Sequence, residues 1–294
     1  MKQVFITGNG FVGKNLIPYI GSKKSIKIHK RGESFSISSN IVIHLAGKAH
    51  DIKNVAEPDD YYQINTELTK EIFDAFLFSE AKVFITLSSV KAVADNVDGV
   101  LFEDVVANPV THYGKSKLLA EHYILTKEIP PGKRVYILRP CMIHGPGNKG
   151  NLNLLYKIIS VGLPWPLGAF ENKRSYCSID NLCFIIQELI ENETIPSGVY
   201  NIADDEPLST NDLISLIASS QSRTQRILKI PKIIIFTFAK IGNLLHLPLN
   251  TERLSKLTES YVVSNDKIKQ AIGKPLPITS KEGFIKTFNS FNNA

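Results

Sequence analysis

The run KQVFITGNGFVGKNLIPYIG at residues 2–21 constrains this chain more than any other stretch. A buried strand over 2–8 passes through Gly8, Gly10 and Gly13 into a helical pattern over 11–21, which is G-x-G-x-x-G placed at a strand–helix junction. The first glycine permits a tight turn, the second lets a pyrophosphate approach the backbone, and the third lets helix and strand pack closely. The anion then rests on the backbone N–H groups and the positive end of the helix. Asn9, Phe11 and Val12 complete that loop, so Gly8 to Gly13 is the expected cradle of a dinucleotide. Pro18 lies inside the helix, removes a backbone donor, and should bend or shorten it.

The same alternation continues downstream. SIKIHKR (25–31), IVIHLAG (41–47), KVFITLSS (82–89) and RVYILRP (134–140) are apolar runs of the kind that parallel sheets bury on both faces, with helical segments around 60–80 and 112–128 between them. The expected fold class is therefore α/β, a Rossmann-like doubly wound parallel sheet. After Pro140 the texture changes to a loop (144–151), a helix (152–162) and a Pro-rich connection (163–170). A strand feeding a helix (175–191) and a strand (198–204) come next, followed by a mainly helical remainder. We expect residues 1–145, rejoined by 174–204, to bind the dinucleotide. Residues 146–173 and 205–294 should form a smaller, mostly helical substrate domain.

The 294 residues, 43% hydrophobic and 21% charged, suit a folded protein and exclude a disordered one. A net charge of +6 spread without a dense basic block speaks against nucleic acid as a partner. Cys141, Cys177 and Cys183 show neither C-x-x-C nor zinc-ligand spacing, the seven histidines form no metal-like cluster, and no metal is expected. The N-terminus enters a strand at once, without a signal peptide's apolar core. The most apolar later stretch (230–248) is interrupted by Lys232, Lys240, Asn243 and His246, so it reads as a buried or partly amphipathic helix and not a membrane span. A cytoplasmic enzyme domain is the resulting expectation. At the end of the second strand stand His29, Lys30 and Arg31, with no acid before Glu33. Basic residues there accommodate a ribose 2′-phosphate, which favours NADP(H) over NAD(H), the latter remaining possible.

Tyr-x-x-x-Lys, which sets a phenol and an ammonium on one helix face, occurs three times: Tyr19/Lys23, Tyr113/Lys117 and Tyr123/Lys127. A nearby cation favours phenolate, and a strand-end hydroxyl beside the pair would orient a substrate oxygen. Only Tyr113/Lys117 follows a turn (NPVTH) at a helix start and trails strand-end serines, Ser88 and Ser89, by 24–25 residues. Position, and not spacing, singles it out.

TGNGFVG, HLAGKAHD (44–51), INTELT (64–69), LSSVKA (87–92), HYGKSKLLAE (112–121), RPCMIHGPG (139–147) and RSYCSIDNLC (174–183) run in the order of a known group. The chain resembles the extended short-chain dehydrogenase/reductases, the NAD-dependent epimerase/dehydratases of nucleotide sugars. It is most similar to bacterial 4-reductases of UDP-2-acetamido-2,6-dideoxy-4-hexulose and to UDP-hexose or UDP-N-acetylhexosamine 4-epimerases. The resemblance implies Tyr113 as acid/base, Lys117 on the nicotinamide ribose while lowering the phenol's pKa, and Ser89 (or Ser88) on the reacting carbonyl. It implies Asn65 in the helix before that strand, Leu45, Ala46 and Gly47 lining the cofactor cleft, and Pro140 leading to the loop beneath the nicotinamide. Asn151 and Leu152 would meet uridine, and Arg174, with Arg253 as a weaker candidate, the sugar-nucleotide pyrophosphate. It implies surface-polysaccharide synthesis, and family members commonly form homodimers through a helix pair. A non-catalytic NADP-binding sensor is the alternative of another class. Three departures stand out. The loop is one residue shorter than the family's usual G-x-x-G-x-x-G, only about ten residues separate Arg31 from the next strand where relatives insert a helix and a strand, and His144 replaces a usual Tyr before GPG.

Overall fold

The computed structural model describes residues 2–21, 24–29, 36–48, 57–148, 150–245 and 250–291. The first half contains β1 (Gln3–Thr7), α1 (Phe11–Ile20), β2 (Ser25–His29), β3 (Ile41–His44), α2 (Pro58–Tyr61), α3 (Leu68–Leu77), β4 (Val83–Leu87), β5 (Val100–Leu101), α4 (His112–Leu125) and β6 (Arg134–Pro140). The second contains β7 (Met142–His144), α5 (Asn151–Ser160), β8 (Tyr176–Ser178), α6 (Ile179–Glu191), β9 (Gly198–Ile202), α7 (Thr210–Ser220), α8 (Lys232–Leu244), α9 (Thr251–Thr258), β10 (Val262–Val263), α10 (Asp266–Ile272) and α11 (Ser280–Phe291). A π-helical turn, Tyr62–Glu67, joins α2 to α3, and a 3-10 turn, Val90–Ala92, follows β4.

Six strands form one parallel sheet in the order β2-β1-β3-β4-β6-β9. One row across it reads Ile28, Ile6, Ile43, Ile85 and Tyr136. Alternate residues of each strand feed opposite faces. Val4, Ile6, Ile43 and Ile85 join Leu16 of α1 and Leu182 and Ile186 of α6 in one apolar cluster. Phe5, Val42 and Phe84 join Ile72, Phe73 and Phe76 of α3 in another. Both faces are covered, as a parallel sheet requires, which is why its strands read as continuous apolar runs. Between β1 and β3 the strand order reverses direction, so the loops leaving those strands diverge and open a crevice at their carboxyl ends. β2 is the sheet edge, and β3 returns directly beside β1, consistent with the short link from Arg31.

α1 runs through Pro18 and stops at Ile20, so the proline sits in the last turn and does not break the helix earlier. A third apolar cluster is built from α5, α7 and α11, with Leu155, Ile214, Phe284 and Phe288 at its centre and Trp165 and Phe170 beside them. Residues 205–294 do not all belong to it. Tyr261, Val263, Ile268 and Ile272 pack into the sheet's own cluster. The stretch expected to be a buried or partly amphipathic helix, around 230–248, forms α8, of which only Ile235, Ala239 and Gly242 are buried. No helix among the described residues is long and apolar enough to cross a membrane.

Phe84 is fully buried, 5.0 Å from the ring of Phe73 and 5.2 Å from that of Phe76. Phe84→Ala should cost about 3–5 kcal/mol in denaturant unfolding, whereas Phe78→Ser, at a side chain 92% exposed, should stay within about 0.5 kcal/mol.

Candidate active site

The glycines of the first loop do three different things. Gly8 has φ +90°, and a Cβ there would lie 2.6 Å from the backbone nitrogen of Ala46. A Cβ on Gly13 would lie 2.6 Å from the Gly8 carbonyl oxygen, so α1 is pressed against the turn. Gly10 meets nothing within 4 Å, and no side chain caps the N-terminus of α1. Open backbone at the positive end of a helix is what a pyrophosphate needs, and the residues present fit a dinucleotide. Asn9 is exposed, and Phe11 and Val12 are half-buried at the start of α1. Lys30 and Arg31, on which the NADP(H) preference rests, lie outside the described residues.

The helix that carries Tyr113 is fixed at its start. Thr111 caps α4 by accepting from the Gly114 nitrogen at 3.2 Å, and Asp95 accepts from the nitrogens of Val110 (2.7 Å) and Thr111 (3.3 Å). A Cβ on Gly114 would stand 2.3 Å from the Lys91 carbonyl oxygen, so α4 begins hard against the turn after β4. That approach sets Tyr113 beside Ser89, whose hydroxyl favours the ionised phenol. Ser89 Oγ accepts from the Lys91 nitrogen at 3.2 Å, which leaves its own hydrogen for the phenol oxygen. Ser88 points elsewhere and donates to Glu121. Of the two serines, Ser89 is the one beside Tyr113.

Lys117 is buried one turn on, and its Nζ donates to the Leu87 carbonyl at 2.8 Å. A Cβ on Gly47 would lie 3.1 Å from that Nζ and 3.2 Å from Asn65 Oδ1, so ammonium and amide back directly onto the exposed wall after β3. Burial lowers the Lys117 pKa to about 8, and the Glu121 carboxylate opposes the shift. Glu121 is held in turn by Arg139, whose Nε donates at 3.0 and 3.1 Å and whose Nη2 donates at 2.6 Å. The Tyr113 phenol is raised, not lowered: burial drives it up, Ser89 opposes this, and the neighbouring Tyr61, 6.2 Å away between ring centres, adds to it. This corrects the expectation that Lys117 depresses the phenol, because the ammonium is committed to Leu87 and desolvation dominates at Tyr113.

The other tyrosine pairs have separate employment. Tyr123 donates to Asp74 at 2.7–2.8 Å, clipping α4 to α3, while Lys127 lies over its ring at 4.5 Å. Tyr19 is 41% exposed, and Lys23 lies outside the described residues. Asn65 is fully buried in the π-helical turn. Its amide accepts from the Lys48 nitrogen at 2.8 Å and donates to the Lys48 carbonyl and to Ser116 Oγ, each at 3.1 Å. Leu45, Ala46 and Gly47 follow β3 beside the first loop, with the Leu45 nitrogen donating to the Thr7 carbonyl at 2.8 Å. Pro140 ends β6 opposite Ile202. Asn151 opens α5, and the Leu152 side chain is packed into the third cluster, so any contact it makes with a ligand must come from its backbone. Arg174 is half-buried, its backbone pairs with Leu208, and its guanidinium donates to the Lys256 carbonyl. Arg253 is exposed on α9. His144 is fully buried, stacks on Phe284 at 3.8 Å and bonds Thr287 at 3.0 Å, which is packing.

Three participants escaped the sequence analysis. His44 ends β3 opposite Thr7 and Thr86, and its pKa falls to about 3 through burial, with the Lys117 charge adding. The neutral ring accepts from Thr7 Oγ1 at 2.6 Å and donates to Thr69 Oγ1 at 2.9 Å, because Thr69 gives its own hydrogen to the Asn65 carbonyl at 2.8 Å. Glu121 is the second. Lys91 is the third: its ammonium donates to the Asp95 carbonyl at 2.6 Å, lies 4.2 Å from the centre of the Tyr261 ring, and feels the Arg174 charge. The available signal for all three was a polar side chain inside an otherwise apolar or strand-end run.

Ser89→Ala should lower kcat by about 10- to 100-fold with little change in unfolding free energy. Ser88→Ala should instead cost about 1.5–3 kcal/mol of stability, since it strips a partner from a buried carboxylate. The Lys117 pKa is lower in the folded than in the unfolded chain, so between about pH 8 and pH 10 the unfolded state holds more protons and stability rises with pH. Denaturant unfolding at pH 7.5 and 9.5 should show wild type gaining on Lys117→Met as pH rises.

The model of a family described as NAD dependent epimerase/dehydratase matches residues 4–203. UDP-glucose 4-epimerase of Vibrio cholerae is 28% identical over an alignment covering 100% of this chain and 96% of that protein. RMD from Pseudomonas aeruginosa, solved in complex with NADPH, shares the fold with a TM-score of 0.75 at 20% identity over 100% of both chains. UDP-glucuronic acid 4-epimerase from Bacillus cereus, solved with NAD, does so with a TM-score of 0.76 at 16% identity over 99% of each. With the family's pattern running from β1 to the end of β9, this chain belongs to the NAD dependent epimerase/dehydratase family.

Proposed function

We propose that this protein reduces the C4 keto group of a UDP-activated deoxy-amino sugar, with NADPH as the favoured reductant, in the synthesis of surface polysaccharide. The observation that carries the reading is the Tyr113 phenol, held protonated by burial and set beside the Ser89 hydroxyl at the start of α4. A phenol in that state is an acid waiting for an oxygen that gains charge. A bound nicotinamide supplies the hydride that the carbonyl carbon receives. Ser89 orients the carbonyl oxygen, and Tyr113 delivers its proton there as negative charge develops. Lys117, tied to Leu87 and lying against Gly47, holds a positive charge against the cofactor side of the cleft. Arg174 and Lys91 offer two cations for the diphosphate, and the start of α5 at Asn151 offers backbone for the uracil. The basic Lys30 and Arg31 support NADPH over NADH.

A second reading, a UDP-hexose 4-epimerase, is favoured by the Vibrio cholerae relative, which spans this whole chain. The two separate on one experiment. Incubation with NADPH and a UDP-4-keto-deoxy-amino sugar should consume NADPH in proportion to product. Interconversion of UDP-hexose epimers without NADPH loss would favour the epimerase, and binding without either turnover would leave a nucleotide sensor. Tyr113→Phe should lower kcat by about 10²- to 10⁴-fold with KM little changed, and undiminished activity would contradict the assignment.

A further inference from the structure

Helix α8 turns most of its apolar surface outward. Ile235, Ala239 and Gly242, spaced along one stripe, face the protein. Around the rest of the helix Ile233 is 75% exposed, Phe238 60% and Leu244 79%, with Ile234 and Ile241 each at 43%. Phe236 meets the ring of Phe170 at 5.7 Å and Asn243 bonds Thr251, but the side chains named above remain exposed, and an apolar helix face left open to water is suited to a further partner.

The stretch of chain that runs through this helix carries charge of one sign. Between Asp212 and Glu252 the chain contains no acidic residue, while Arg223, Arg226, Lys229, Lys232 and Lys240 all lie in that stretch. Lys232 opens the helix 5.6 Å from the centre of the Phe170 ring, and Lys240 stands exposed among the outward apolar side chains. On the adjacent α9, Glu252 is already paired with Lys256 at 2.6 Å. Long cationic stems beside exposed apolar groups suit an interface where the stem lies in a greasy layer and the head meets phosphate. A second copy seated on this face would bring like charges together, which disfavours self-association. Thirteen residues are about 20 Å of helix, too short to span a bilayer and suited to lying on one.

We propose that α8 docks the protein on an anionic lipid surface, with Ile233, Phe238 and Leu244 entering the headgroup boundary and Lys232 and Lys240 meeting lipid phosphates. The surface lies outside the reacting groups, and its test does not depend on which sugar is reduced.

The test is co-sedimentation of the full chain with vesicles of phosphatidylcholine alone or mixed with phosphatidylglycerol. Wild type should pellet with the anionic vesicles at least about tenfold more than with the neutral ones, and high salt should weaken the binding. The triple variant Ile233→Ser, Phe238→Ser, Leu244→Ser should stay in the supernatant, and Lys232→Glu with Lys240→Glu should lose at least about tenfold. All three substituted apolar residues are exposed, so thermal unfolding at the wild-type temperature certifies the fold of the variant. The proposal is overturned by wild type that ignores anionic vesicles, by variants that bind as wild type does, or by a wild-type dimer that the triple variant alone converts to monomer without any vesicle binding.

Discussion

The ammonium of Lys117 is a charge taken out of water, and much of the site follows from how it is compensated. Desolvating such an ion costs several kcal/mol unless oxygen partners are fixed around it. Here the Leu87 carbonyl accepts from it, and Glu121 stands close enough to oppose the loss of its proton. Glu121 in turn needs Arg139 and Ser88. Those residues sit at the ends of β4 and β6 and within α4, so the strand pairing of Leu87 with Leu138 and the docking of α4 are requirements of one buried charge. The same charge helps keep His44 neutral, and the neutral ring links Thr7 on β1 through Thr69 to the turn that carries Asn65.

The glycine loop after β1 and the Tyr113/Lys117 pair share one wall. Gly8 reaches the backbone of Ala46, while Gly47, next in the chain, abuts the Lys117 ammonium and the Asn65 amide. Asn65 also grips both backbone groups of Lys48. Residues 45–48 are therefore held on one side by Gly8 and on the other by Asn65. A side chain at Gly8 would push on backbone, whereas one at Gly47 would push on the flexible end of a lysine. The first change threatens the fold of the loop and the second the placement of the charge.

The strand–helix alternation was legible because strands buried on both faces leave unbroken apolar runs, and Tyr113 was legible because only one of three equivalent spacings follows a strand-end serine pair. The choice between Ser88 and Ser89 was not, since neighbouring residues at a strand end point to opposite sides and only the register of α4 decides between them. The direction of the Tyr113 shift was hidden for a related reason: helix spacing reports a neighbouring lysine but not the desolvation that outweighs it. His44 was hidden inside IVIHLAG, where a histidine in an apolar run reads as core. The split of residues 205–294 between two cores escaped because β10, paired with β5, and α10 return to the sheet's apolar cluster from far along the chain. An apolar helix such as α8 has the same periodicity whether it is buried or exposed, so its outward face became visible only in three dimensions.

On the proposed reading, Tyr113, Ser89 and Lys117 serve hydride chemistry at one sugar carbon. Reduction with NADPH deuterated at nicotinamide C4 on the transferred face, followed by NMR of the sugar product, tests it most directly. Wild type should place deuterium at C4 of the sugar, and Tyr113→Phe should lose incorporation rate in step with its loss of turnover. Deuterium at another carbon, or its full retention in the cofactor while product forms, would contradict it.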